Sequence, residues 1–399
     1  MGKNEMPLEG VKVLELGSLI AGPFAGRIFA EFGAEVIKVE PPKLGDPLRK
    51  WRLMKDDTSL WWYVQSRNKK CITLNLKEKE GQDIIKKLAK EVDIVIENFK
   101  PGTLEKWGIG YEDLKTVNPK IIMIRISGYG QDGPYSKKPG FGSIGEAIGG
   151  IRYLTGYPDL PPVRTGISIG DSIAAIYAVM SGMMALYHRD TKGTQGQYID
   201  VALYEAIFSL MESMVPEYDQ FGFIRERSGN TLPGIAPSNI YRCKDGKYIA
   251  IGANGDSIFK RLTQAMQRED LDNEEFAHND GRAKKMEYLD EQIEAWTKTM
   301  PMKDILKILD KYNIPSGPIY NIEDIFNDIH YKARDMIKDI EVKNFGKLKM
   351  PGIIPKFSKT PGKIKWAGAK LGQHNKEIYK EKLGLNEEEL KKLTEKGII

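Results

Sequence analysis

Short apolar runs alternate with helix-like segments over residues 11–126 of the chain. Runs rich in aliphatic and β-branched side chains predict strands at 11–16, 35–39, 71–76, 92–96 and 120–126. The intervening segments 22–33 and 80–90 carry apolar side chains three and four positions apart, which predicts amphipathic helices. Because strands that alternate with helices are typical of a parallel sheet flanked by helices, the pattern predicts an open, Rossmann-like α/β sheet.

The pattern changes after the last of these strands. Apolar residues at helical spacing predict a long helix over 171–193, and 197–203 has the composition of a further strand. The segment 221–236 is rich in Gly, Pro, Ser and Arg and has no periodicity, which is typical of a junction between domains. Beyond it, a strand at 248–251 and charged amphipathic helices predict a smaller α+β domain.

Turn-forming segments rich in Gly and Pro follow the predicted strands. They lie at 17–22, 41–45, 97–102 and 127–133. In open parallel sheets, ligands bind outside the carboxyl ends of the strands. We therefore expect these four segments to border a small-molecule site.

The composition limits the classes of ligand. The 399 residues include 60 Lys plus Arg and 55 Asp plus Glu, a balance too even for a nucleic-acid footprint, although a small polyanion remains possible as a ligand. Cys71 and Cys243 belong to no CxxC or Cys/His cluster, so neither a disulfide framework nor a metal site is expected. No run of about 18 apolar residues, the length of a membrane helix, is apparent. Residues 1–10 do not resemble a secretory signal, so we expect a cytoplasmic protein.

Most familiar catalytic motifs are missing. The chain has no GxxxxGK[ST] phosphate loop, and no GxGxxG follows the first predicted strand. Residues 166–170 do match GxSxG, the nucleophile elbow of α/β-hydrolases, with Ser168 at its centre. That elbow requires a buried strand before the serine, whereas prolines stand at 161 and 162. A serine hydrolase that uses Ser168 therefore stays an alternative.

Asp171 lies at the start of the long predicted helix. A carboxylate there meets unpaired backbone N–H groups, which favour its ionised form and should lower its pKa. A plain N-cap is one interpretation. The other is a nucleophile, because Gly166, Gly170 and the glycines of 140–150 would let a substrate approach closely. Attack on an acyl thioester would give a mixed anhydride, and the released thiolate could return to form an aspartyl thioester. Exchange of a thioester between carboxylates is nearly isoenergetic, so this chemistry needs no ATP.

Several blocks in the same order resemble the class III CoA-transferase family. They are Pro7–Leu16 with Ala21-Gly22-Pro23, Gly33–Pro41 with Gly45-Asp46, Asn98-Phe99 with Pro101-Gly102, Ser127–Gly130 with Gly133-Pro134, Gly170-Asp171, and Ile314–Pro318. Each block is a modest signal, but their joint order and spacing over most of the chain make the resemblance specific.

The resemblance implies that Asp171 carries the acyl and CoA groups in turn. The residues that match the family's CoA contacts are Ile20, Ala21, Leu74, Lys77, Asn98, Phe99 and Lys106. Coenzyme A would then enter as part of the substrate, with no permanently bound cofactor and no metal. The expected partners are acyl-CoA, small carboxylic acids and a second copy of the chain, with no nucleic acid or membrane.

The resemblance also implies the domain order and an interlocked homodimer. Residues 1–220 would form the first part of a large CoA-binding domain, 221–328 a small α+β domain, and 329–399 a return segment that completes the large domain. The glycine-only loop that closes the site of some relatives is not visible between 221 and 241, so the mode of closure stays open.

Racemase relatives within the family carry a histidine and an acid where Gly140, Phe141 and Gly142 stand here. A racemase needs two proton-transfer groups on opposite faces of the reacting carbon, so this difference favours transfer over epimerisation. We assign the three residues to the substrate pocket. The resemblance suggests a 2-hydroxy acid acceptor from amino-acid fermentation, such as (R)-2-hydroxyisocaproate. An α-methylacyl-CoA racemase and a non-catalytic CoA-binding protein remain alternatives.

Overall fold

The computed structural model describes residues 6–343 and 345–399. The chain divides into two compact units. The first is formed by the chain up to Arg152, by Thr165–Phe221 and by Lys332–Ile399, and the second by Tyr153–Arg164 and Gly222–Tyr331. The first unit therefore combines segments from both ends of the chain.

The elements are numbered in chain order. The strands are β1 (Lys12–Glu15), β2 (Glu35–Glu40), β3 (Met54–Lys55), β4 (Thr58–Ser59), β5 (Lys69–Thr73), β6 (Ile94–Glu97), β7 (Ile122–Ser127), β8 (Tyr198–Ala202), β9 (Ser238–Arg242), β10 (Tyr248–Gly252), β11 (Ser316–Pro318), β12 (Ile337–Val342) and β13 (Gly346–Pro351). The helices are α1 (Ala21–Glu31), α2 (Leu60–Gln65), α3 (Lys79–Ala89), α4 (Thr103–Lys106), α5 (Tyr111–Val117), α6 (Gly142–Ile148), α7 (Ile151–Leu154), α8 (Ile169–Lys192), α9 (Leu203–Phe208), α10 (Met214–Phe221), α11 (Asp256–Met266), α12 (Asn279–Lys284), α13 (Met286–Thr297), α14 (Met302–Lys311), α15 (Ile322–Asn327), α16 (Ile329–Ala333) and α17 (Glu387–Glu395). Short 3₁₀ helices lie at Pro47–Lys50 and Glu269–Leu271, and a π-helix at Lys376–Lys382.

The first unit is built on a six-stranded parallel sheet with the order β5-β2-β1-β6-β7-β8. Counted along the chain, this is the doubly wound order 3-2-1-4-5-6, in which the strand order reverses between β1 and β6. The predicted open parallel α/β sheet is confirmed. The strand predicted at 71–76 instead spans Lys69–Thr73 and so begins two residues earlier than predicted. Those two residues, Lys69 and Lys70, can join the strand because their ammonium groups pair with carboxylates.

Helices cover both faces of this sheet. On one face α1 and α8 pack against β1, β6 and β7 through small and aliphatic side chains. The approach is close at Gly182 of α8, where an added Cβ would lie 2.8 Å from Ile124 Cδ1. On the other face α3 and α5 pack over aliphatic residues of β1, β2, β5, β6 and β7.

Helix α8 runs antiparallel to the strands. Near its end, Arg189 donates from Nη2 to Asp93 Oδ1 at 2.9 Å and from Nη1 to the Lys120 carbonyl at 3.2 Å. Asp93 and Lys120 stand just before β6 and β7, so this end of the helix lies at the amino edge of the sheet. With 24 residues, α8 is long enough to bring its first turn to the carboxyl edge. The helix begins at Ile169 with Ser168 as N-cap, so the predicted start at Asp171 is two residues late.

The sequence analysis finds no segment with the length and apolar composition of a membrane helix, but α8 has both. By those two measures, α8 alone among helices of the described residues could cross a membrane. Its buried face is made of Ala and Gly residues that pack in the core of the first unit. The sequence pattern predicted the helix but showed no uninterrupted apolar run in it, because Ser, Gly and Tyr interrupt its aliphatic residues.

The second unit has its own core. Strands β9, β10 and β11 form an antiparallel sheet against which α11, α13 and α14 pack. Arg282 of α12 is fully buried there and donates to the carbonyls of Ala236, Phe276 and Asn254. The second unit thus has an antiparallel sheet and helices around one apolar core, which is the α+β arrangement that the sequence pattern predicts for this part of the chain.

The C-terminal segment covers β5, the edge strand of the parallel sheet. Cys71 N–H donates to His374 Nδ1 and Thr73 N–H to Asn375 Oδ1, each at 2.9 Å. These side chains occupy backbone donors that an uncovered edge strand would offer to another chain.

Buried charges cross the middle of the sheet. Lys38 Nζ lies 2.9 Å from Asp46 Oδ2 and 3.3 Å from Glu15 Oε1, and Lys69 Nζ lies 2.7 Å from Glu15 Oε2. All four side chains are almost completely buried. Burial opposes the charge on Lys38, but Asp46, Glu15 and Glu40 outweigh it and raise the pKa of Lys38. We call these four residues, Glu15, Lys38, Asp46 and Lys69, the buried ion cluster.

Replacing Lys38 with Met should leave the carboxylates of Asp46 and Glu15 short of a buried partner. Breaking a buried pair in this way typically lowers the free energy of unfolding by about 3–5 kcal/mol. Lys349→Met is the control, because Lys349 pairs with Asp339 at 2.9 Å on the surface and its loss should cost under about 1 kcal/mol. Urea unfolding of both variants tests this, and equal losses would contradict it.

Candidate active site

The loop 17–20 joins β1 to α1 at the reversal point of the sheet. Asn98, which follows β6, donates from Nδ2 to the Ser18 carbonyl at 2.9 Å and accepts from the Ser18 N–H at 2.8 Å. This contact leaves no room for a side chain at Gly17, where a Cβ would lie 2.4 Å from Asn98 Oδ1. The amide therefore ties together the two loops on either side of the reversal point.

Hydrogen bonds from the buried ion cluster fix the same loop, residues 17–20. Lys38 donates to the Gly17 carbonyl, and Leu19 N–H donates to both carboxylate oxygens of Asp46 at 3.1 Å. Gln65 Nε2 donates to the Ile20 carbonyl at 3.0 Å. Leu19 has φ +65°, a conformation that costs free energy for a side-chain-bearing residue and persists only when its surroundings fix it. The loop is thus preorganised before any ligand arrives.

Sequence reasoning missed Lys38, Asp46 and Gln65 as site residues. The only sequence signal for these residues was that they are charged or polar and lie inside an otherwise apolar strand or at a turn. Their partners are distant in the chain, so the pattern alone could not identify them.

The predicted CoA positions all lie near the carboxyl edge, but their side chains differ in exposure. Ile20 and Ala21 are buried at the start of α1, and Leu74 is buried in the core just beyond β5. Lys77 and Lys106 are exposed, and within residues 6–343 and 345–399 neither ammonium group forms an ion pair. The two lysines are therefore available to an anionic ligand, whereas Leu74 could act only through its backbone or by supporting the surface.

Asn98 and Phe99 occupy the loop after β6. The Asn98 amide is used by Ser18, so in this structure it positions the neighbouring loop. Phe99 is half-buried and packs edge-on against Trp107, with ring centroids 5.4 Å apart. Its N–H donates to Glu97 Oε2 at 2.8 Å.

Glu97 is a buried acid that the sequence did not single out. Arg125 Nε donates to Glu97 Oε1 at 2.9 Å, and Arg125 Nη2 lies 2.8 Å from Glu105 Oε1. Burial raises the pKa of Glu97 to about 7, although the Arg125 bond opposes the shift. This carboxyl group anchors the loop that carries Phe99.

Asp171 lies in the first turn of α8, at the carboxyl edge, and is half-buried. Its carboxylate stands against Gly142 of α6, where an added Cβ would lie 2.1 Å from Asp171 Oδ2. Gly140 packs on the Gly128 backbone, since a Cβ on either residue would lie 2.8 Å from the Cα of the other. The structure thus brings Gly142 and Asp171 together, as the assignment of a shared pocket expects. Phe141 points outward and is 66% exposed.

Ser168 does not occupy a nucleophile elbow. Among the described residues, no strand precedes it over 161–165, and it serves as the N-cap position of α8. Its carbonyl accepts from the Ser172 N–H and hydroxyl. The geometry that makes an elbow serine reactive is therefore missing.

No metal-binding group is found in the part of the chain that the structure describes: no cluster of three or more His, Cys, Asp or Glu side chains there could hold an ion.

A preorganised loop at the reversal point of a doubly wound sheet, with a carboxylate in a glycine-lined recess, defines an α/β protein that binds a small ligand at this edge. Comparison with known proteins specifies the class. Residues 8–375 match the model of CoA-transferase family III. The chain therefore belongs to this family and is a class III CoA-transferase, whose substrates are CoA thioesters and carboxylic acids.

Three similar proteins illustrate the match. The chain is 50% identical, over 98% of both chains, to succinyl-CoA–D-citramalate CoA-transferase of Chloroflexus aurantiacus. It is 38% identical to the alpha subunit of succinyl-CoA–L-malate CoA-transferase of Chloroflexus aurantiacus, over 100% of this chain and 94% of that protein. The crystal structure of a CAIB/BAIF family protein from Brucella suis superposes with a TM-score of 0.84 at 33% identity, covering 94% of this chain and 99% of that one.

Replacing Gly142 with Ala should displace the Asp171 carboxylate, because the new Cβ would overlap it. A displacement of about 1 Å at a reacting group can lower turnover about 100-fold. Gly252→Ala is the matched control, since Gly252 lies in β10 of the second unit and no described atom lies within 4 Å of a Cβ there. CoA-transfer rates and thermal unfolding of both variants test this. Full activity in Gly142→Ala would contradict the arrangement.

Proposed function

We propose that the enzyme moves CoA from an acyl-CoA to a second carboxylic acid through covalent intermediates on Asp171. The observation that supports this most directly is the position of Asp171, which lies in the first turn of α8 with its carboxylate packed against Gly142, a residue without a side chain. A carboxylate is an established covalent nucleophile when its surroundings fix and desolvate it.

The reaction proceeds in balanced steps. An Asp171 carboxylate oxygen attacks the thioester carbonyl carbon, the C–S bond breaks, and CoA leaves as a thiolate from a mixed anhydride. The thiolate attacks the Asp171 carbonyl carbon of that anhydride and releases the donor acid as its carboxylate, which leaves an aspartyl-CoA thioester. The acceptor carboxylate then attacks the carbonyl carbon of this thioester, the C–S bond breaks, and a second mixed anhydride forms between Asp171 and the acceptor. The released thiolate attacks the acceptor's carbonyl carbon, the C–O bond to the Asp171 carboxylate breaks, and the new acyl-CoA leaves with Asp171 restored. No net proton, electron or phosphate is consumed.

The first turn of α8 suits these steps. Backbone N–H groups at a helix N-terminus lack intrahelical partners and stabilise negative charge. The charge of the Asp171 carboxylate, and the charge that develops on the attacked carbonyl oxygen, both lie near this end. Lys77 and Lys106 suit the phosphate groups of CoA, because they are exposed and carry no ion pair among the described residues.

Dicarboxylic acids are the substrate class that the relatives favour. The names of the two Chloroflexus enzymes pair succinyl-CoA with citramalate or malate, and both acceptors are 2-hydroxy dicarboxylic acids. We therefore propose a succinyl-CoA-type donor and a 2-hydroxy dicarboxylic acceptor. The 2-hydroxy group agrees with the sequence-based hypothesis, but the monocarboxylic (R)-2-hydroxyisocaproate finds no support in these relatives.

The alternative functions have less support. A serine hydrolase would need an elbow at Ser168, which the structure does not form. An α-methylacyl-CoA racemase would need two proton-transfer groups on opposite faces of the reacting carbon, and Gly140, Phe141 and Gly142, which stand where the racemase relatives carry a histidine and an acid, supply neither.

Asp171→Asn should lower CoA transfer from succinyl-CoA to malate or citramalate at least about 1000-fold, because the amide cannot form the anhydride. Ser168→Ala is the control and should retain activity. Hydroxylamine or borohydride trapping followed by mass spectrometry should find the modification of the wild-type protein on the Asp171 peptide.

Three results would contradict the proposal. They are turnover by Asp171→Asn, a trapped group on another peptide, and deuterium uptake at the α-carbon of a 2-methylacyl-CoA in heavy water. The last would favour the racemase alternative. CoA binding without any transfer would favour a non-catalytic binding protein.

We further propose that the enzyme is a homodimer, as the resemblance to the family implies. One face of α8 exposes large apolar side chains at spacings of three and four residues, a pattern that a second copy would cover. They are Ile176, Met180, Met184 and Tyr187, exposed by 49, 43, 61 and 71%. Because removing apolar side chains from water is favourable, covering this face of α8 would stabilise the association of two chains.

Sedimentation equilibrium should therefore give about twice the chain mass of 45.0 kDa across the accessible concentration range. A single species of one chain mass would contradict the dimer. Interlocking of the two chains stays a prediction of the family resemblance.

A further inference from the structure

Helix α6 presents two positions to the start of α8. Gly142 faces the Asp171 carboxylate, and Glu146, four residues later and on the same helix face, accepts from the Gly170 N–H at 3.3 Å through Oε1. Glu146 is 1% exposed. A second carboxylate is thus buried directly beside the residue that precedes Asp171.

The other oxygen of the Glu146 carboxylate lies beside a cation. Arg152 Nη2 is 3.5 Å from Glu146 Oε2. Gly150, with φ +100°, turns the chain between α6 and α7 in a conformation that favours glycine, and this turn returns Arg152 to Glu146. One carboxylate therefore bridges the guanidinium group to the backbone that carries Asp171.

Arg152 has donors to spare. Its Nε is buried and donates no hydrogen bond within residues 6–343 and 345–399, while the side chain as a whole is 31% exposed. A guanidinium group has five N–H donors in a planar fork that matches a carboxylate. The Glu146 contact involves Nη2, Nε is closed to solvent, and the exposed 31% of the side chain is the part open to a ligand.

We propose that Arg152 binds the free carboxylate of a dicarboxylic acyl group whose thioester carbonyl is attacked by Asp171. This inference rests on the proposed function. A substrate carboxylate in this region would lie near the acidic side chain of Glu146. Arg152 supplies a positive charge 3.5 Å from Glu146 Oε2, and Glu146 in turn accepts from the N–H of Gly170, the residue before Asp171. In a succinyl group only two methylene groups separate the carbonyl from the free carboxylate, so the cation that binds it has to lie close to Asp171. Glu146 acts as a positioning residue, since it holds the guanidinium group in place.

The test compares two acyl groups of equal length. Succinyl-CoA carries a free carboxylate where butyryl-CoA carries a methyl group. The rates of exchange of labelled succinate into succinyl-CoA and of labelled butyrate into butyryl-CoA are measured for the wild type, Arg152→Met and Arg152→Lys. Calorimetric binding of free CoA shows whether the remainder of the site is intact. Arg334→Met is the control, because Arg334 is an exposed arginine outside the site.

Arg152→Met should lower kcat/KM for succinyl-CoA exchange about 10- to 100-fold, as expected for a lost charge-assisted bond. Butyryl-CoA exchange and CoA binding should stay within about threefold of the wild type. Arg152→Lys keeps the charge but not the planar fork of donors, so its kcat/KM for succinyl-CoA exchange should lie between the values for the wild type and Arg152→Met. If Arg152→Met does not fold, the Lys variant still tests the proposal through its ratio of the two exchange rates.

The remaining outcomes separate this inference from the proposed function. Equal losses with both acyl groups, unchanged succinyl-CoA exchange in Arg152→Met, or a wild type that prefers butyryl-CoA would each overturn the role of Arg152. A wild type that exchanges neither acid would instead overturn the proposed CoA transfer.

Discussion

The ion pair between Lys38 and Asp46 is the contact on which the ligand loop depends. Each side chain neutralises the other in a site closed to water, and each also bonds to the backbone of residues 17–20, Lys38 to the Gly17 carbonyl and Asp46 to the Leu19 N–H. A charge that is buried without a partner is strongly unfavourable. The two strands that carry Glu15 and Lys38 therefore cannot be separated from the loop above them, and the core of the sheet also fixes the shape of the loop.

Near Asp171, at the carboxyl edge of the parallel sheet, glycines rather than ion pairs determine how closely segments pack. The ion cluster positions a backbone by contact, whereas Gly142, Gly140 and Gly128 allow close approach through the absence of side chains. The Asp171 carboxylate, at the start of α8, consequently packs directly against Gly142 of α6. Helix α6 also carries Glu146, and through it Arg152, so one short element connects the reacting carboxylate with a cation.

The sequence was sufficient for the architecture but not for the contacts within it. The parallel sheet followed from the apolar runs, because strands buried on both faces, such as β6 and β7, begin with consecutive apolar residues and carry their polar residues toward the carboxyl end. The start of β5 was missed because Lys69 and Lys70 concealed it. Asp171 was identified from its helix and its glycine neighbours, and the family resemblance then gave it a role. Asp46, Glu146 and Arg152 could not be found in this way, since their partners are brought together only by the fold, as Leu19 and Gly170 illustrate.

The covering of β5 by the C-terminal segment has a consequence for biosynthesis. The backbone donors of Cys71 and Thr73 are satisfied by His374 and Asn375, some three hundred positions later in the chain. During translation the sheet emerges long before its cover, so the nascent chain holds an unprotected strand until residues 374 and 375 have been made. Contacts of such long sequence separation form slowly, and exposed strand edges promote aggregation in the meantime. The ribosome-bound intermediate is thus the form of this enzyme with the greatest need of chaperones.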